Sequence, residues 1–382
     1  MNAPLASTCV GLFLLGLMAP APEPPQEITR VPRSLALGEV RPTVFIDRVP
    51  WRITRPGRYE LHGTLQMKKD PTPESATGII ISADDVVLDL GGHALIGVKG
   101  SATGILVKIP EKRTAQMLNI TVRNGSVRNW GGNGVNLASA VQARVEDLQL
   151  AGNGEARQAF DGLIVGEGAI VSRCSAQYNA AAGIRTGRGA QLVACTGSYN
   201  GGSGMLLGAG SLARECVAMG NTGDGLVLSD AGCSAIDCTA SGNGRNGISA
   251  GPAARVSGCT AWSNQASGIR VEGHGLVEGC LASGNADAGV LALSRGSRID
   301  GNHLSANGMG LDVAGRDHLV VRNSLSANSV EWSMPDGNLS GGLHEGISVD
   351  QLMKIIGEAS GEKQKKDFQK LFLRDPWANV SH

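Results

Sequence analysis

The chain has 382 residues, with 34 basic and 34 acidic side chains and a formal charge of zero. It carries 55 glycines but only 3% aromatic residues. No basic stripe points to nucleic acid and no acidic run points to a solvated tail. Aromatics are too few for a conventional core of this size, and the glycines lack the three-residue period of collagen. Short strands joined by many tight turns fit this composition.

In chain order, Val10 to Met18 (VGLFLLGLM) is apolar and too short to span a bilayer. Ala19-Pro20-Ala21 follows with the small-x-small pattern of a cleavage site, so residues 1–21 read as a signal peptide. Residues 22–50 read as a linker and lead-in that begins PEPPQE. The expected location is outside the cytoplasm: secreted, periplasmic or in the envelope. No later segment is long and apolar enough to cross a membrane.

A repeat dominates residues 51–330. Cys174, Cys195, Cys216, Cys238, Cys259 and Cys280 are separated by 21, 21, 22, 21 and 21 residues. Five residues after each comes Asn179, Asn200, Asn221, Asn243, Asn264 or Asn285. Four residues later comes a glycine, Gly183 through Gly289, and then an apolar residue such as Ile184, Ile248 or Val290. Asn302 and Asn323 continue the cysteine column, and Asn307 and Asn328 the asparagine column. Alternation inside the unit has period two, the signature of strands. Cys and the residue two beyond it should face inward, as should the residue after Gly and its own i+2 neighbour. Stacked equivalent strands, about 4.8 Å apart, make a parallel solenoid with a right-handed path.

The fold class is therefore all-β, a right-handed parallel β-helix of about ten coils. The asparagine suits a turn, because it tolerates the left-handed region and can bond an identical amide one coil away. The cysteines are expected as free, buried thiols, with inter-coil disulfides as the alternative. Leu148 and Asn153 continue the columns backward, and Asn124, Asn129 and Gly134-Val135 form the coil before. Residues 108–117 and 154–160 are outward loops. Residues 331–382 are expected to form a helical cap, with one helix from Ser348 through Ile356 and a second over 362–373.

RITRPGRYEL at 52–61, GIIISADDVVLDLGGHALIG at 78–97, ITVRNGSVRNWGGNGV at 120–135, the Cys/Asn/Gly coils and DPWANV at 375–380 resemble bacterial right-handed parallel β-helix repeat proteins of the pectate-lyase-like superfamily. The resemblance implies the fold and leaves function open, since that superfamily includes lyases, hydrolases, epimerases and proteins without known activity. The short outward loops and leucine-rich face favour a non-catalytic structural or glycan-binding rod, with a polysaccharide lyase or glycoside hydrolase acting on an acidic polysaccharide as the alternative. The partner would be a polysaccharide or an envelope glycan. No cofactor or metal site is expected, and Ca²⁺ enters only if the protein is a lyase.

The best cluster joins Asp161 to Arg185, one coil apart, with Trp130, Tyr178 and Tyr199 on neighbouring coils. Asp161 is the catalytic candidate. Arg185, Tyr178, Tyr199 and Trp130 are the substrate-binding candidates, as aromatic plates beside a charged pair suit a sugar chain. The other reading of these residues is a surface ion pair with aromatic cover. Gly273-His274-Gly275 and Asp84-Asp85 are too far apart along the rod to converge on one site, and Asp84, Asp85 and Asp89 are read as a turn followed by an outward strand position.

Overall fold

The computed structural model describes residues 42–73, 75–155, 160–340, 343–345 and 379–381. The expected signal peptide, the 22–27 linker and both cap helices lie outside the described residues.

A regular coil contains three short strands, as in Ile184–Thr186, Gln191–Val193 and Thr196–Ser198. Each pairs in parallel with its equivalent one coil on: Ile184 with Met205, Leu192 with Ala213, and Gly197 with Ala218. These three stacks are faces 1, 2 and 3 of a parallel β-helix. Face 1 is a single sheet of 13 strands. Faces 2 and 3 merge into one sheet because Ile120–Arg128 and Arg144–Ala151 run through the corner and pair on both sides of it.

On face 1, the regular array from Ile79–Ile81 to Met309–Arg316 makes the expected run of about ten coils, roughly 50 Å long. One further rung lies at each end, Trp51–Ile53 and Val330–Ser333. Val44–Ile46 pairs with Gly57–Leu61, so pairing starts within the segment read as lead-in. In the segment expected to be a helical cap, the described residues form strands and a turn, with no helix among them. Leu339–Ser340 extends face 2, and Asn379–Ser381 pairs with Ser324–Ser326 on face 3.

The inward sets follow the expected alternation. Cys174, Ala176, Ile184 and Ile248 are each at most 1% exposed. The core is thin, built in the regular coils from two inward side chains per face 1 strand and one or two per strand of faces 2 and 3, mostly aliphatic or small, and that explains the scarcity of aromatics.

The asparagines form a continuous buried ladder. The Asn221 amide donates to Asn243 Oδ1 at 3.0 Å and to the Gly197 carbonyl at 2.9 Å, and its backbone N–H donates to Asn243 Oδ1 at 3.1 Å. Its own Oδ1 accepts from the backbone and side chain of Asn200, both at 3.0 Å. The pattern repeats from Asn153 to Asn328. These asparagines do not hold the left-handed conformation expected of them. The residue before each does, as with Tyr178, Tyr199, Gly220 and Gly242 at φ of 54° to 64°. Nor is Asn129 the ladder residue of its coil: it holds that left-handed position, and the backbone N–H of Trp130 donates to Asn153 Oδ1.

The ladder also explains the glycine column. A Cβ on Gly225 would sit 2.6 Å from the Asn243 amide nitrogen and 2.6 Å from the Gly247 carbonyl oxygen. Glycine is needed here because the next coil passes too close for any side chain.

The seven described cysteines are buried and free. Each column thiol donates to carbonyls of its own and the preceding coil, as Cys216 does to Arg214 and Leu192. Burial opposes the thiolate at all six column cysteines. Cys233 belongs to a different column, at the turn between faces 1 and 2, and bonds the Gly208 carbonyl at 3.1 Å. Above this column, Asn302 and Asn323 replace sulfur with amides, and Cys280 N–H donates to Asn302 Oδ1. Denatured protein should release all seven of these thiols to a thiol reagent without reductant, whereas native protein should react slowly. A denatured count near zero would mean that the coils are covalently joined.

Candidate functional site

Asp161 and Arg185 do meet. Arg185 Nε donates to Asp161 Oδ2 at 2.6 Å and Nη2 to Oδ1 at 3.3 Å. The Asp161 side chain is only 6% exposed, and Oδ1 also accepts the Ala182 backbone N–H at 2.8 Å. The carboxylate therefore closes a turn between coils. Asp224 does the same two coils after the Ala182 turn, accepting the backbone and side-chain N–H of Asn246. With both oxygens engaged, Asp161 has the geometry of a turn-closing group rather than that of a free base or cation ligand.

Trp130 is a correction. It is 1% exposed, and its indole N–H donates to the Leu95 carbonyl at 3.2 Å. Its ring fills space left by Gly78, Gly97 and Gly104, where an added Cβ would lie within 2.9 Å of ring atoms. It is the largest side chain of the early core and presents no surface to a ligand.

Tyr178 and Tyr199 lie on the surface and stack on one another. They are 63% and 46% exposed, and their rings stack with centroids 5.4 Å apart and planes 9° apart. Each occupies the left-handed corner after a face 3 strand. The Tyr199 ring lies over Gly220, where a Cβ would come within 2.6 Å of it, so the missing side chain lets the stack lean along the rod.

Sequence reasoning missed Trp262. It is 47% exposed at the end of the face 3 strand Thr260–Trp262. The signal was available, because it follows inward Ala261 and period two turns it outward.

Other acidic groups are held in pairs. Asp84 accepts from Arg113 and from the Leu118 N–H, which anchors the 108–117 loop. Burial works against the charge on Asp89, but hydrogen bonds from Gly91, Asn124 and Arg123 outweigh it and hold this carboxyl below the usual range. Arg322 and then Arg298 do the same for Asp300 against its burial. Asp85 sits at a left-handed turn position, as expected, and His274 does so as well.

The family model described as right handed beta helix region matches residues 104–253, 192–326 and 230–351, together more than half of the chain. The chain therefore belongs to the right-handed β-helix family. No curated protein sequence matches. Among solved structures, the A-module of mannuronan C-5 epimerase AlgE4 from Azotobacter vinelandii is similar at TM-score 0.59 and 15% identity, covering 78% of this chain and 91% of that one. A mutant of the periplasmic alginate epimerase AlgG is similar at TM-score 0.51 and 14% identity, covering 69% and 76%. These likenesses are of fold. No helix among the described residues is long and apolar enough to cross a membrane.

Proposed function

We propose that this protein is an exported β-helical rod that binds polysaccharide through its side and does not cleave it. The observation that carries the reading is the exposed Tyr178–Tyr199 stack. Two parallel rings one coil apart, on a rigid backbone, offer large contact area with little side-chain entropy to lose. The Asp161–Arg185 pair nearby is committed to the fold, which favours binding over acid–base chemistry. A lyase would call on Ca²⁺, and the binding reading does not.

A panel of neutral and acidic polysaccharides, assayed for retention and for new reducing or unsaturated ends with and without Ca²⁺, tests the reading. Retention should fall about tenfold or more in Tyr199→Ala, with no new chain ends. Cleavage that disappears in Asp161→Asn would replace this reading with the enzyme. Retention of no glycan at all would remove it.

A further inference from the structure

Face 3 has a property that the other faces lack. From Ser175–Gln177 to Leu281–Ser283, its outward side chains are serine, threonine, glutamine, valine, leucine, methionine and tryptophan, and none is charged. The left-handed corner beside them is equally neutral, with two tyrosines followed by glycine and serine. Charges begin at the opposite corner, with Arg173, Glu215 and Asp237. Face 2 over the same coils presents Arg214, Arg255 and Glu278.

This neutral face also gathers the exposed apolar groups. Val217, Met219, Trp262 and Leu281 are 36% to 47% exposed along it, and Tyr178 and Tyr199 stand at its edge. Exposed apolar side chains gathered on one uncharged face are a feature of binding surfaces. Its chemistry is mixed in a particular way. Met219 and Trp262 share a column with Ser198, Ser241 and Ser283, in register, and because Ser198 and Ser241 are buried the column presents its two large side chains to solvent. Aromatic faces take the C–H faces of sugar rings, and the half-buried hydroxyls of Thr239, Thr260 and Ser283 on the same face can take their O–H groups. With no cation on the face, nothing there would select a uronate.

We propose that face 3 binds a linear, uncharged polysaccharide laid along the rod axis, with Tyr178–Tyr199 at one end of the site and Trp262 at the other. This rests on the glycan-binding reading and assigns the ligand class and its direction. Trp262 lies four rungs beyond Tyr178, roughly 19 Å at the strand spacing, so the site holds about four or five sugars in line. Each coil repeats the backbone at close to the length of one pyranose, which lets successive sugars meet equivalent positions.

The full chain is titrated with neutral β-linked glucan oligosaccharides and with oligogalacturonates and oligomannuronates of increasing length, following tryptophan fluorescence and calorimetry. Neutral chains should bind, with a step of about tenfold in affinity once the length reaches both ends. Binding should be insensitive to salt, because no ion pair contributes. Trp262→Ala and Tyr199→Ala should each cost about tenfold on the long chain, and Trp262→Ala should abolish the length step. Both side chains are exposed, so unchanged melting serves as the control for folding. Salt-sensitive binding of acidic chains alone, lost in Arg185→Ala, would overturn the neutral assignment and leave the glycan rod standing. Neutral binding untouched by Trp262→Ala would overturn the axial site. No binding of any glycan, with self-association that Trp262→Ala abolishes, would remove both in favour of a second copy of the chain.

Discussion

Asn243→Ala should destabilise the middle coils by about 4 kcal/mol. The side chain takes part in four buried hydrogen bonds: it donates to Asn264 Oδ1 and the Ala218 carbonyl, and accepts from the backbone and side chain of Asn221. Alanine removes all four and leaves the Asn221 N–H dry and unpaired. Because each coil touches only its neighbours, the damage should be local. Native-state hydrogen exchange should show the Asn221 amide, which has lost its acceptor, exposed far more than amides near either end. Urea unfolding should show the lowered midpoint. Wild-type protection at Asn221 would mean that the ladder fills space without adding stability.

Gly247→Ala should cost about 3 kcal/mol, against the usual small gain when glycine becomes alanine at a tolerant site. The added Cβ would lie 2.6 Å from Asn264 Nδ2, 2.7 Å from the Gly268 carbonyl oxygen and 3.2 Å from Ala261 Cβ. Two of these three neighbours cannot rotate away. Combining Gly247→Ala with Asn264→Ala removes the amide clash, so the double variant should lose less than the two single losses added together. The remaining carbonyl contact should keep it well below wild type. Strict additivity, or a stable Gly247→Ala, would break the link drawn between the two columns.

That link was half legible in the sequence. The Asn and Gly columns share one period, which reveals that they occupy equivalent places in every coil. The spacing does not reveal that they meet each other across coils. The glycine of one coil abuts the asparagine of the next, as Gly225 abuts Asn243. Contact along the rod axis leaves no trace in the order of residues within a unit. The amide-to-amide bonding was expected, but the left-handed conformation fell to the preceding residue, because the ladder amide must point inward while the corner turns.

The functional residues divide in the same way. Period-two alternation places Trp262 outward and Ile248 inward, and both parities hold. Trp130 escaped that rule because it occupies a corner, where alternation stops. Its burial depends on three glycines flanking earlier strands that leave a hole of its size. Asp161 was correctly brought to Arg185 by counting coils. The same count could not show the Ala182 N–H, which turns a reactive-looking carboxylate into part of the turn.

Repetition by itself determined the coil, its register and its inward strand positions, because any residue recurring at one period must find the same surroundings each time. Tertiary structure decided what happens at the corners and between coils. There the backbone leaves its period-two path, and burial, hydrogen bonding and exposure depend on the cross-section of the neighbouring coil.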